Sequence, residues 1–120
     1  MFGATSGFVA VAAGAFGAHA LKERLEPSLL VAFQTGAHYH LAVSVLIVAL
    51  ALGGKPLGSG GKRAGVLFAA GTVVFSGSLY ALALTGTRMW GAVTPVGGLC
   101  FLAGWIVLLA AAIRMPRENP

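Results

Sequence analysis

Residues 89–113 read MWGAVTPVGGLCFLAGWIVLLAAAI, and no charged side chain interrupts them. A helix needs about 20 apolar residues to cross the roughly 30 Å of hydrocarbon in a bilayer. Backbone N–H and C=O groups find no water in lipid, and a helix satisfies them within the segment itself. We therefore predict a membrane-spanning helix over about residues 91–113.

Three similar stretches precede this one, each free of Asp, Glu, Lys and Arg. They predict further spanning helices over about residues 2–21, 33–53 and 64–85. The links between them carry charges, as in LKERLEPSLLV at 21–31, or are rich in glycine, as in GGKPLGSGGKR at 53–63. The predicted fold is an all-α membrane protein, one domain over residues 1–120, with four transmembrane helices in a compact antiparallel bundle with short loops.

The composition is far from that of a soluble domain. Of 120 residues, 58% are hydrophobic and only 9% are charged, whereas a soluble domain carries about 25% charged residues. The net charge of +5 does not indicate nucleic-acid binding, because the basic residues lie singly or in pairs at the ends of apolar runs. The partner that this composition predicts is the lipid bilayer.

The distribution of basic residues predicts the orientation. The link at 54–63 and the C-terminal segment lie on one side and carry five Lys or Arg, whereas the opposite side carries three, which are Lys22, Arg24 and Arg88. Because cytoplasmic loops carry the excess of Lys and Arg, both termini are expected in the cytoplasm.

Small residues recur at helical spacing in each span. In lipid, helices associate through close van der Waals packing at such residues. We predict a packing seam of Gly3, Gly7, Ala10, Gly14 and Gly17 in the first span, Gly65 and Ala69 in the third, and Gly97 and Gly104 in the fourth. The same stripe could also serve a homo-oligomeric contact. Gly14→Leu is expected to be among the most damaging substitutions.

Three histidines are the candidate metal or haem ligands. His19 ends the first span, and His38 and His40 begin the second, so all three are expected near one membrane face. Imidazole suits zinc, copper and iron. However, residues two apart in a helix are separated by about 200° of rotation about its axis, so His38 and His40 cannot both face one ion. The preferred interpretation is that these side chains anchor helix ends at the interface, with no cofactor.

Hydroxyl groups are the other polar feature of the spans. Such groups hydrogen-bond carbonyls of the preceding turn or a neighbouring helix, or they line a solute path. The candidates for a polar lining are Tyr39, Ser76, Ser78, Tyr80 and Thr94. Pro95 is expected in the first turn of the fourth helix, where its missing N–H costs little. No charged residue lies inside a span, as a proton relay would need, and no catalytic set is evident, so no enzyme activity is predicted.

Several of these blocks resemble a known family. GFVAVAAGAFGAHALKERL (7–25), FQTG (33–36), FSGSLYALALTG (75–86) and VTPVGGLCFLAGW (93–105) together resemble the YgdD/YwdK family of small four-helix inner-membrane proteins. That family is classed as a domain of unknown function, so the resemblance implies a fold and an inner (plasma) membrane location rather than an activity.

His19 and Tyr39 match family positions. The family pattern has a histidine one turn after the tyrosine, where this chain has Val43, and a glutamine where it has His40. This departure argues against a metal or haem site built from the second span.

Three functions remain from the sequence. The leading one is a structural, accessory or assembly component of the membrane that packs with itself or with a larger complex. The alternative is a small oligomeric channel or facilitator for an uncharged solute, lined by the hydroxyl groups. A second alternative is a metal or haem carrier that uses His19 with His38 or His40.

Overall fold

A computed structural model describes residues 2–116, and the all-α prediction is confirmed there. The chain forms α1 (Phe2–His19), α2 (Pro27–Gly53), a short 3-10 turn (Lys55–Leu57), α3 (Gly58–Thr85) and α4 (Met89–Ile113). Arg117, which was counted in the charge comparison, lies outside the described residues.

Two helices begin earlier than the sequence predicted. α2 starts at Pro27 rather than near residue 33, because proline is well suited to the first turn of a helix. α3 starts at Gly58, directly after the 3-10 turn, so half of the predicted glycine-rich link is helical. The φ of 61° at Gly58 is readily adopted only by glycine, and it lets the chain turn into α3 without a longer loop.

The link between α3 and α4 is only three residues long. Gly86 has a φ of 70°, and its N–H caps the carbonyl of Leu82. α4 then begins at Met89, which leaves Pro95 inside the helix. The predicted first-turn position for Pro95 is therefore wrong, because the helix starts nearly two turns before it.

Within residues 2–116, three segments are long and apolar enough to cross a membrane, namely Pro27–Gly53, Lys55–Thr85 and Met89–Ile113. α1 is shorter, at 18 residues, and glycines together with Thr5, Ser6 and His19 reduce its apolar character. At 1.5 Å per residue, α1 is about 27 Å long, whereas α2, with 27 residues, reaches about 40 Å.

Extensive helix–helix contacts in the described part of the chain run between consecutive helices. α2, α3 and α4 share one apolar core around Val43, Phe68 and Phe101. A second apolar cluster, around Leu21, Phe33 and Ala83, lies at the other end of the helices, next to the 20–26 turn. α1 lies alongside α2 and does not pack extensively on α3 or α4, so it forms one edge of the assembly.

Part of the predicted small-residue seam makes close interhelical contacts. A Cβ added at Gly3 would lie 2.8 Å from Val48 on α2, and one at Gly17 would lie 2.8 Å from the Phe33 ring. On α4, a Cβ at Gly104 would lie 2.8 Å from Phe68, and one at Gly97 would overlap the backbone of Phe75. Ala10 is buried and Gly7 makes an ordinary contact at 3.8 Å.

Gly14 and Gly65 differ from the rest of the seam, because a Cβ on either meets nothing within 4 Å. The expectation that Gly14→Leu would force two helices of this chain apart is therefore wrong. Three contact glycines escaped the sequence analysis: an added Cβ would lie 3.1 Å from Leu79 at Gly36, 2.6 Å from Ala111 at Gly60 and 2.6 Å from Phe101 at Gly71. The contacting faces are decided by how each helix is rotated, which the spacing of small residues does not determine.

Candidate functional site

His40 is the centre of a buried polar chain that connects three helices. It lies in α2 and is only 8% exposed, so the interpretation of His40 as an interfacial anchor is wrong. Its Nδ1 lies 2.9 Å from the Tyr80 hydroxyl on α3, and its Nε2 lies 2.8 Å from Ser6 Oγ on α1. Ser6 Oγ in turn lies 2.7 Å from Ser44 Oγ, one turn after His40 on α2.

The number of available protons determines the direction of each bond. The hydroxyl of Ser44 donates to the His40 carbonyl at 2.6 Å, so its single proton is used there. Ser6 must then donate to Ser44, and His40 Nε2–H must donate to Ser6. In a neutral imidazole the other nitrogen is an acceptor, so Tyr80 O–H donates to Nδ1. The chain therefore runs one way, from Tyr80 through His40, Ser6 and Ser44 to a backbone carbonyl.

This direction is opposite to the one needed for nucleophilic catalysis. An activated serine donates its proton to histidine, and the far imidazole N–H donates to a carboxylate. Here Ser6 accepts from His40, and a phenol takes the place of the carboxylate. Both ring nitrogens are occupied, and no buried side-chain N or O atom among residues 2–116 lacks a hydrogen-bond partner. The arrangement is a saturated polar link, which holds α1, α2 and α3 together.

Two further hydroxyl bonds cross helix interfaces. Ser76 on α3 donates to the Gly36 carbonyl on α2 at 2.8 Å. Ser78 on α3 and Thr94 on α4 lie 2.6 Å apart at their hydroxyl oxygens. Because Ser78 also has a short bond of 2.8 Å to the carbonyl of its preceding turn, Thr94 is the better donor in that pair. These predicted lining residues therefore bond other helices of the chain.

Tyr39, another predicted lining residue, lies in an aromatic cluster. Its ring centroid is 4.9 Å from that of Phe75 on α3, and it is stacked on Phe101 of α4 with centroids 6.3 Å apart. His38 and His19 are both exposed, unlike His40. Among the described residues, no group of three His, Cys, Asp or Glu side chains lies close enough together to hold a metal ion.

A lateral groove of about 360 Å³ opens between α1 and α3 above this polar chain. The residues that line it include His40, Ser6 and Tyr80, together with Thr72 and Ser76 on the α3 side. Apolar residues complete its walls, including Phe2 and Val9 of α1 and Val73 of α3. We refer to these residues together as the lateral groove.

The sequence analysis missed Ser6 and Ser44, although a signal for the site was available. Gly36, His40 and Ser44 follow one another at intervals of four on α2, and Thr72, Ser76 and Tyr80 do so on α3. Residues four apart share one face of a helix. Two such polar faces on adjacent antiparallel helices predict a buried contact between them, whereas Ser6 has no comparable repeat.

Comparison with known proteins then identifies the family. Residues 13–98 match the family described as Protein of unknown function (DUF423). The chain belongs to the DUF423 family. The match includes His40, Ser44 and Tyr80, whereas Ser6 lies before it.

Relatives cover nearly the whole of this DUF423 chain. The UPF0382 inner membrane protein YgdD of Escherichia coli K12 is 44% identical over 120 residues, which are 99% of this chain and 92% of the relative. The UPF0382 membrane protein YwdK of Bacillus subtilis is 41% identical over 95% of this chain and 94% of its own length. These matches confirm the resemblance to the YgdD/YwdK family, and with the apolar helices they identify a membrane protein. No solved structure matches the chain.

Proposed function

We propose that this DUF423 protein is a four-span structural or accessory component of the inner membrane, which acts by associating with a second copy or a larger complex. The observation that carries the proposal is the packing of α1. This helix packs along α2, but the side of it that faces α3 is not covered and borders the lateral groove. Helices in lipid associate by packing and interhelical hydrogen bonds, so an incompletely covered helix pair offers a surface for another helix.

The position of α1 supports a fourth span. Gly3 lies against Val48 near the end of α2, and Gly17 lies against Phe33 near its beginning. α1 therefore runs antiparallel to α2 over most of its own length. Because α2 is long and apolar enough to cross a membrane, α1 is expected at the same depth, where its length of about 27 Å matches the hydrocarbon thickness.

The use of the hydroxyl groups favours an associating role over the alternatives. A facilitator needs polar atoms free to solvate its cargo, but Ser76 and Ser78 bond other atoms of the chain, and Tyr80 donates to His40. A metal carrier built on His40 would need a free imidazole nitrogen as ligand, whereas both nitrogens of His40 are engaged in hydrogen bonds within the chain. These hydrogen bonds between α1, α2 and α3 support a role in which the three helices present a rigid surface to a partner.

Crosslinking in native membranes tests the association. In a Cys100→Ala background, we would place a single thiol at Gly77→Cys, which is exposed in the wall of the lateral groove. Leu102→Cys, which is 61% exposed on α4, is the matched control. We expect a membrane-permeant bifunctional maleimide to give one reproducible adduct from Gly77→Cys and none from Leu102→Cys. Monomer alone from both variants would contradict association through this groove.

Thiol labelling tests whether α1 and α2 each cross the membrane and whether the start of α1 is cytoplasmic. In the same background, Phe2→Cys and Ser59→Cys should be protected from an impermeant reagent in intact cells, and Glu23→Cys should be labelled. Identical labelling of Phe2→Cys and Glu23→Cys would show that α1 does not cross the membrane. The reverse of the expected pattern at all three positions would invert the orientation.

A further inference from the structure

A second, larger groove lies where the start of α1, the end of α2 and the start of α3 meet. Its volume of about 670 Å³ falls within the range of pockets that enclose small molecules. Phe2, Ile47, Leu50 and Val66 line one part of it, and Lys55 and Lys62 line the other. We call these six residues the basic groove.

The polarity of the basic groove changes along the helix axis. Lys55 lies in the 3-10 turn outside α3, and Lys62 lies in the second turn of that helix. Val66 follows Lys62 by four residues, so it shares the same face about 6 Å further along the axis. Ile47 lies nearly two turns before the end of α2 at Gly53, which places it beside the apolar part. The groove is therefore cationic at the mouth and apolar deeper towards the middle of the helices.

The charge of the mouth is one-sided. Among the residues that the structure describes, its lining includes two lysines and no acidic side chain. The apolar part has free space in its wall, because a Cβ at Gly65 would meet nothing within 4 Å. A soluble anion would interact only with the lysines at the mouth, and a transmembrane helix of a partner would contact only the apolar part. A ligand with an anionic head and a hydrocarbon tail complements both.

We propose that the basic groove binds an anionic phospholipid, with its phosphate between Lys55 and Lys62 and an acyl chain along Ile47, Leu50 and Val66. The depth is appropriate, because α2 ends and α3 begins where the headgroup region is expected. Juxtamembrane lysines near the membrane surface attract anionic lipids electrostatically. This proposal goes beyond the association proposed above and does not depend on it.

Native mass spectrometry of the detergent-purified full chain tests the head of the ligand. We expect the wild type to retain one phosphatidylglycerol in preference to phosphatidylcholine. Lys55→Gln with Lys62→Gln should weaken phosphatidylglycerol binding by about tenfold or more, since two such charges are lost. Lys22→Gln with Arg24→Gln removes the same charge from the other end of the molecule and should leave the binding unchanged. Equal retention of the two lipids by the wild type would overturn the proposal.

A charge-neutral variant tests the tail. Gly65→Leu fills the apolar part of the groove, whereas Gly98→Leu is matched in chemistry and in the free space around its Cβ but lies on α4. We expect Gly65→Leu alone to lose the bound phosphatidylglycerol. Millimolar inorganic phosphate should not displace the lipid, because it gains nothing from the apolar part. Unchanged lipid binding in Gly65→Leu, or displacement by phosphate, would overturn the proposal, and thermal unfolding of each variant verifies that it is folded.

Discussion

The Tyr80 hydroxyl on α3 and His40 Nδ1 on α2 lie 2.9 Å apart, with 40 residues of chain between them. The direction of this contact follows from the other end of the chain, where Ser44 donates to the His40 carbonyl, so that His40 carries its proton on Nε2 and its Nδ1 accepts from Tyr80. The hydrogen-bonded chain thus reaches from the third helix to the first.

The tautomer of His40 is the first prediction. Because Ser44 and Ser6 each have only one proton to donate, His40 should carry its proton on Nε2 and none on Nδ1. Nitrogen-15 NMR of histidine-labelled protein in bicelles at neutral pH distinguishes the two forms. Observation of the Nδ1–H form would show that the bond directions deduced here are incorrect.

Tyr80→Phe should destabilise the fold by about 1 kcal/mol, since it leaves Nδ1 of His40 without its donor. The matched control is Tyr39→Phe, because Tyr39 is held by ring contacts with Phe75 and Phe101. Unfolding free energies in bicelles give both values. Equal effects of the two substitutions would mean that the Tyr80 hydroxyl contributes nothing specific.

Neighbouring glycines on α4 should respond oppositely to alanine. An added Cβ at Gly97 overlaps the Phe75 backbone, which cannot move aside as a side chain can, so Gly97→Ala should cost about 1–3 kcal/mol. Gly98→Ala meets nothing within 4 Å and should be neutral or stabilising by up to about 1 kcal/mol through helix propensity. The difference in unfolding free energy between the two variants is the measurement. Similar values would contradict the close approach of α3 and α4 at Gly97.

Two glycines of α1 distinguish the face of this helix that packs on α2 from the face that does not. Gly17→Leu should destabilise the monomer, because its side chain collides with the Phe33 ring on α2, whereas Gly14→Leu should not. The thermal unfolding temperature in detergent measures this difference. If Gly14→Leu lowered that temperature as much as Gly17→Leu, the present position of α1 on α2 would be wrong.

The sequence by itself determined the four helical segments and the membrane character of the protein. Long charge-free runs of about 20 residues predict helices in lipid because a helix satisfies its backbone groups within the segment itself. The charged or glycine-rich links limited where the chain turns. It also placed Gly3, Gly17, Gly97 and Gly104 in a small-residue seam, and in the structure each of these glycines lies close to a neighbouring helix. Helix starts were less accurate at Pro27, which suits the first turn of α2, and at Gly58, where a glycine-rich segment of low helix propensity is nevertheless helical.

Only the tertiary structure decided which residues of those helices meet. His40 is separated from Ser6 by 34 residues and from Tyr80 by 40, and helical periodicity says nothing about contacts at such separations. Periodicity assigns residues to a face, but the rotation of each helix and its choice of neighbours determine what that face contacts. For this reason Gly14 lies free although Gly17 is packed, and a histidine expected at the interface is buried among three helices.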